Sequence, residues 1–244
     1  MEEKRILLTG FEPFSDLDIN ESSEVVKLIS NSGLQDIEII PSILSVDEEG
    51  TESSLDILKS MEFDAVIHLG LSRNSEKILF ERFANNMISM ELPDNSGRAL
   101  ESSKILENAS ERIETTVSIH NFDEEFEQDK DLQWSHNAGS YVCNETYFKT
   151  LSALSNSTTP VLFIHLPKMS EISLNRQVEV VSRAIMQMVT RPKLTVVGGM
   201  IKDLNGSILA CKRPEGDAWS GWWEFPGGKV EENESLKDAL SREI

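Results

Sequence analysis

The chain is short of the residues that would mark several common protein classes. It has two cysteines, Cys143 and Cys211, among 244 residues. Two thiols cannot build a disulfide scaffold, and neither CxxC nor CxxH spacing offers a zinc site, so a cysteine with a special role acts here as a free thiol. No apolar run approaches the ~20 residues that cross a bilayer. The start, Met-Glu-Glu-Lys-Arg before Ile-Leu-Leu-Thr-Gly, lacks the long apolar region and small-residue cleavage site of a signal peptide. These absences read as a cytoplasmic protein with no membrane partner. Positive charge is scarce too: 23 Lys and Arg face 42 Asp and Glu, a net charge of -19. Affinity for DNA or RNA comes from basic side chains displacing counterions, so this balance excludes nucleic acid as a partner.

What is present supports a packed core, with 39% hydrophobic and 27% charged residues. Between Lys4 and Arg191, short apolar runs alternate with amphipathic stretches: "RILLTGF" then "SSEVVKLIS", "IEIIPSILSV" then "ESSLDILKSM", "AVIHLGL", and "PVLFIHLP" then "NRQVEVVSRAIMQMV". The runs predict buried strands and the i, i+3, i+4 stretches predict covering helices, which together make a layered α/β domain. "HNFDEEFEQDKDLQWSHN" has no clear period and reads as an exposed connection, with a short strand expected just before it at "TTVSIH".

After "TRPK" the pattern changes. "LTVVGGMIKD" and "ILACKRP" flank Asn205-Gly206, a strong hairpin signal. The acidic excess also ends here, with 7 basic against 9 acidic residues from Pro192 onward. Two units are therefore expected, 1-191 and 192-244, joined without a low-complexity linker.

Cys143 is the chemically suggestive residue of the first unit. Ala138-Gly139-Ser140 reads as a loop entering a helix of Tyr141 to Leu154, with Cys143 in its first turn. There the unpaired N–H groups and the helix dipole favour thiolate over thiol, and the same N–H groups would receive an oxyanion. The simpler reading is a small buried hydrophobe. A nucleophilic cysteine needs a base, and histidine is the usual choice. His165 lies near the end of a buried strand, where sites form in open α/β sheets, and His68 has a similar setting. His136 stands in a polar loop and His120 follows a weak strand. Pattern alone leaves the choice between His165 and His68 open, and either one also fits a satisfied core histidine.

Four segments at characteristic spacing carry a resemblance: "LLTGFEPF" with Asn20 following, "FERFANN" with "LPDNSG" after it, "NAGSYVCNETY", and "FIHLP". On these the part from Arg5 to about Arg191 resembles the pyroglutamyl peptidase I (pyrrolidone carboxyl peptidase) family. The resemblance implies a three-layer α/β/α sandwich of the phosphorylase/hydrolase-like kind. It also implies a cysteine peptidase that removes N-terminal pyroglutamate from peptides. It assigns Cys143 as nucleophile, His165 as base and Glu81 as the residue orienting His165, and it matches Phe11 and Phe14 to the aromatics that sandwich the substrate ring. Without it, Glu81-Arg82 reads as a surface ion pair and the two phenylalanines as turn or core packing. No cofactor is implied, and family members commonly form homo-oligomers. Departures are also visible. Ser15-Asp16 replaces the usual glycine pair after "EPF", Glu21 replaces a common proline, and the residues after Gly70 depart from the commoner Gln-Ala-Gly-Gly-Arg run, beginning with Leu71.

The tail, "GWWEFPGGKVEENESLKDALSREI", resembles the start of a Nudix hydrolase, the subgroup that cleanses oxidised nucleoside triphosphates. Of the signature Gx5Ex7REUxEExGU, where U is bulky and apolar, the chain supplies the part from Gly228 through Ile244. This implies a partial α+β Nudix fragment. Hard divalent cations need several oxygen ligands, and the family gathers glutamates on one helix face to hold magnesium or manganese. Glu234 and Glu243 are metal-site candidates for an intact domain, and Gly227-Gly228 is the turn that opens the box. With so few carboxylates, metal binding should be weak. The expectation is a cut peptidase and Nudix fusion whose nucleotide pyrophosphohydrolase activity would need the rest of the domain, leaving the residues of "LTVVGGMI" and Trp222-Trp223 poorly covered.

Overall fold

The structure is a computed structural model and describes residues 3–15, 17–190, 195–216, 220–231 and 234–244. Its contacts divide the chain into two compact units, Met1–Thr190 and Arg191–Ile244.

In the first unit the apolar runs form β1 (Lys4–Phe11), β2 (Ile37–Leu44), β3 (Ala65–Leu71), β4 (Ile78–Glu81), a short pair β5 (Phe83–Asn85) and β6 (Arg112–Glu114), β7 (Leu132–Ser135) and β8 (Val161–Leu166). Six of them make one sheet in the order β2-β1-β3-β8-β4-β7. All neighbours are parallel except β4 and β8, which run antiparallel. Pro41 sits inside β2 without disrupting the sheet because β2 is an edge strand, where a missing N–H need not cost a ladder bond.

The helices are α1 (Glu21–Ser32), α2 (Glu48–Ser60), α3 (Ile119–Phe126), α4 (Val142–Ala153) and α5 (Leu174–Val189). Asn20, Asp47 and Ser118 cap α1, α2 and α3 by accepting hydrogen bonds from first-turn N–H groups. Strand side chains alternate between faces, and the alternation sorts the core into two layers. Ile6, Leu8, Ile67, Phe80, Leu162 and Ile164 pack with α1, α3 and α5. Leu7, Val66, Val161 and Phe163 pack on the opposite face with Tyr147, Phe148 and Leu151 of α4, and α2 contacts α4 there. This is the three-layer sandwich. Among the described residues no helix is long and apolar enough to cross a membrane.

The stretch read as an exposed connection is not one. It holds α3 and β7, and Phe122 and Phe126 are buried. Their rings contact Phe80 edge-on at 5.6 and 5.2 Å, and Trp134 meets Phe80 at 5.6 Å. Only one apolar face, Phe122 with Phe126 four residues on, marks this helix among acidic neighbours, so its period is hidden until the sheet supplies a partner. The strand expected at "TTVSIH" is also absent; the paired segment is β6, and Thr115 instead donates its hydroxyl to the Val161 carbonyl at 2.7 Å.

In the second unit β9 (Val196–Gly198) pairs antiparallel with β12 (Gly227–Lys229), β10 (Cys211–Lys212) pairs with β11 (Trp223–Glu224), and α6 spans Leu236–Glu243. The hairpin at Asn205-Gly206 forms its turn, with Gly206 at φ 87° and the Asp203 carboxylate accepting from the Asn205 and Ser207 N–H groups. Its arms are joined by a Lys202–Ile208 bridge rather than by two full strands. Trp222 and Trp223 are 69% and 68% exposed, in line with poor cover.

Phe80 is 1% exposed at the centre of the aromatic cluster, so Phe80→Ala should destabilise the first unit by about 3 to 5 kcal/mol. An equilibrium urea titration reads this as a lowered midpoint; an unchanged midpoint would show that the cluster does not hold β4 in place.

Candidate active site

Strand parity brings the candidate residues together. His165 on β8 and Glu81 on β4 have the phase of Phe163 and Leu79, so both point to the face covered by α4, while Phe80 and Ile164 point to the other. His165 Nδ1 lies 2.8 Å from Glu81 Oε1. Glu81 is 1% exposed, and among the described residues its Oε2 has no hydrogen-bond partner. The side chain is therefore no surface ion pair; it is Arg82 that pairs outward, with Glu114 at 2.7 Å.

With Nδ1 engaged by Glu81, the opposite edge of the His165 ring is left for Cys143, and both side chains line one cavity. Burial alone would push the His165 pKa down. Interaction with Cys143, followed by the hydrogen bond to Glu81, outweighs burial and raises it to about 10.

Cys143 is the second residue of α4, close to the expected placement. Tyr141 occupies the N-cap position but makes no side-chain cap hydrogen bond, so no side chain of the cap consumes the first-turn N–H groups. Gly70, opposite His165 in the β3–β8 register, makes room for the thiol. A Cβ there would stand 2.8 Å from Phe163 Cζ and 2.9 Å from Cys143 Sγ.

His68 is the satisfied core histidine. It points to the same face one pair deeper in the sheet, fully buried, with Nδ1 2.7 Å from the Thr9 hydroxyl and Nε2 3.0 Å from that of Thr150. Burial lowers its pKa to about 3, which keeps it neutral. His120 is exposed beside Glu124, and His136 is exposed beside the Phe83 ring.

A cavity of about 240 Å³ opens beside Cys143 and His165, walled by Phe11, Phe14, Leu71 and Tyr141. Phe14 stands 5.2 Å from the Tyr141 ring. Phe11 is 2% exposed and serves the core as well as the cavity wall, so the packing reading holds for it. Leu71, the departure noted above, lines the cavity with its own side chain. Ser15 takes φ 60°, and Asp16 lies outside the described residues. Glu21, at the site of the usual proline, starts α1 and accepts from the Met169 N–H at 3.0 Å.

Sequence reasoning missed the residues that hold this geometry. Asn144 is fully buried and clamps the chain beside β5, accepting from Asn85 N–H at 2.9 Å and donating to the Asn85 and Met87 carbonyls at 2.8 and 2.9 Å. Arg98 ties Asp94 and Glu145 at 2.8 and 2.7 Å, and the Tyr141 hydroxyl donates to the Pro93 carbonyl at 3.1 Å. The partners of Asn144, and the Arg98–Glu145 pair, lie 47 to 59 residues apart in the chain, so nothing local marks them.

In the second unit, Glu234 and Glu243 are both held by Arg242. The guanidinium contacts the two Glu234 oxygens at 2.9 Å each and also bonds to Glu243. The hydrogen bond from Arg242, with the Glu231 N–H, lowers the Glu234 pKa to about 2. The Glu243 carboxylate sits where a side chain on Gly228 would collide with it. Among the described residues no three His, Cys, Asp or Glu side chains form a group able to hold a metal ion, so the present set does not fit a magnesium site.

A pyroglutamyl peptidase profile matches residues 4–198, and a NUDIX domain profile matches residues 192–244. The pyrrolidone-carboxylate peptidase of Thermococcus kodakarensis is 34% identical over 176 residues, covering 70% of this chain and 85% of that protein. The enzyme of the same name from Coprothermobacter proteolyticus is 28% identical, covering 67% and 81%. The crystal structure of pyrrolidone carboxyl peptidase from Fervidobacterium islandicum AW-1 superimposes with a TM-score of 0.69 at 32% identity, covering 75% of this chain and 97% of that one. Over residues 4–198 the chain belongs to the pyroglutamyl peptidase family.

Proposed function

We propose that the chain is a cysteine peptidase that removes N-terminal pyroglutamyl residues from peptides, with Cys143, His165 and Glu81 as its catalytic group. The observation that carries this reading is the line Glu81–His165–Cys143 at the open start of α4, beside an apolar cavity.

Sγ of Cys143 attacks the pyroglutamyl carbonyl carbon, and the oxygen that becomes negative is received by the first-turn N–H groups of α4. His165 takes or already holds the thiol proton and delivers it to the leaving amine as the C–N bond breaks, which leaves a thioester. Water then attacks the thioester carbonyl, its proton passes to His165, and pyroglutamate leaves as the sulfur is released. Glu81 fixes the imidazole so that its other nitrogen faces sulfur, and it stabilises the charged ring.

The cavity wall explains the choice of substrate. A lactam ring is uncharged and fits between Phe11 and Phe14, whereas an ordinary amino terminus would carry an unpaired charge into an apolar site. No metal or cofactor enters the proposed reaction, because nucleophile, base and oxyanion donors are all parts of this chain. A cytoplasmic site of action belongs to the same proposal.

The NUDIX match favours a second reading, nucleotide pyrophosphohydrolysis with magnesium or manganese by a complete domain. In the described residues its candidate ligands Glu234 and Glu243 are instead occupied by Arg242.

Release of a fluorescent amine from a pyroglutamyl-arylamide should be blocked by a thiol alkylator and unaffected by EDTA. Cys143→Ser should lower kcat ~1,000-fold or more; normal turnover by this variant would sink the assigned nucleophile, and EDTA-sensitive hydrolysis of nucleotides alone would favour the second reading.

The raised pKa of His165 means that the ring keeps its proton below about pH 10 and loses it above. The kcat/KM profile should therefore hold at mildly alkaline pH and fall toward 10. Glu81→Gln removes one of the contributions raising this pKa and should move the alkaline limb to lower pH; an unmoved limb would exclude Glu81 as a partner of the titrating group.

Gly70→Ala places a methyl group against the sulfur, and misplacement of a nucleophile on this scale costs about 100-fold in kcat/KM. Slower alkylation of Cys143 in the same variant would trace the loss to the thiol; unchanged kinetics would show that the sulfur has room to move.

A further inference from the structure

The turn after β1 carries Phe14 to the cavity, and three successive carbonyls tie it down. Asn20 Nδ2 donates to the Glu12 carbonyl at 3.0 Å, Asn95 Nδ2 to that of Pro13 at 3.1 Å, and Arg73 Nη2 to that of Phe14 at 2.9 Å. The Leu17 N–H also reaches the Phe14 carbonyl, at 3.3 Å. The guanidinium of Arg73 lies 5.7 Å from the centre of the Phe14 ring, within cation–π range, so it contacts both the backbone and the side chain of one residue.

The next residue is out of character for its conformation. Ser15 takes φ 60°, the left-handed region that glycine enters freely and that a Cβ disfavours. Arg73, just past the end of β3, is long enough to reach that turn and hold it through the Phe14 carbonyl.

We propose that Arg73 is a positioning residue for substrate binding: it clamps the turn that Ser15 strains, holding the Phe14 ring at the cavity, and so offsets the cost of a side chain at a position that glycine would relax. This rests on the pyroglutamyl peptidase reading for the meaning of Phe14, while the clamp itself concerns only the turn. A ring wall binds the lactam equally in the ground state and the transition state, so its loosening should appear in KM rather than kcat.

The test is a double-mutant cycle with Arg73→Ala, Ser15→Gly and the two together, assayed on the pyroglutamyl-arylamide, with amide hydrogen exchange over the segment from Phe11 to Asn20 followed in parallel. Arg73→Ala alone should raise KM about 10-fold with kcat nearly unchanged, and should speed exchange in the segment by a similar factor. In the Ser15→Gly background the same substitution should raise KM by only about 2-fold, and protection should largely return. Equal effects of Arg73→Ala in both backgrounds would overturn the compensation, and a fall in kcat at constant KM would overturn the positioning role. Absence of turnover in the unmutated protein would count against the peptidase reading alone. Exchange would then decide the clamp, with unchanged protection in Arg73→Ala overturning it.

Discussion

The site depends on one contact inside the sheet, the 2.8 Å approach of His165 Nδ1 to Glu81 Oε1. It exists because β4 is antiparallel to β8 in a sheet whose other neighbours are parallel, in a register that sets Leu79 opposite His165 and Glu81 opposite Phe163. A shift of one residue in either strand would send one of the two side chains to the opposite layer, among Phe80 and Ile164. A lone buried carboxylate is costly unless it is paired, so the imidazole and the carboxylate each account for the presence of the other.

The same layer must bring the thiol to the ring. The start of α4 is placed by polar contacts rather than by apolar packing alone: Asn144 closes three hydrogen bonds to the strand beside it, and Arg98 joins the loop bearing Asp94 to Glu145 one helical turn further on. Buried groups of this kind add direction, because a displaced helix would leave several of them unpaired at once. Gly70 completes the arrangement by offering no side chain, which lets strand and sulfur approach. Rigidity on the helix side and space on the strand side together set the sulfur and the imidazole beside one cavity.

The two units differ in how their charged groups are used. Around His165, burial and the contact with Glu81 pull the imidazole in opposite directions, and its pKa is raised. Around Arg242, in the second unit, two half-buried glutamates are paired by one guanidinium, an arrangement that braces a short helix and leaves no open ligand set among the described residues.

Much of this was legible in the chain. Short apolar runs and their period determined where the main strands and helices lie, since those choices depend on neighbours a few residues away. The segments around Glu81, Cys143 and His165 marked the candidate group by likeness. Local pattern could not separate His165 from His68: both sit in apolar strands on the same face, and only the fold shows Thr9 and Thr150 closing around one and Glu81 and Cys143 around the other. The helix holding Phe122 and Phe126 was hidden for a related reason, since its apolar stripe becomes visible only against the sheet it covers. The contacts of Asn144 with Asn85, Arg98 with Glu145 and Arg73 with Phe14 were likewise settled by tertiary structure, because these partners lie 47 to 59 residues apart in the chain and meet only when the strands align.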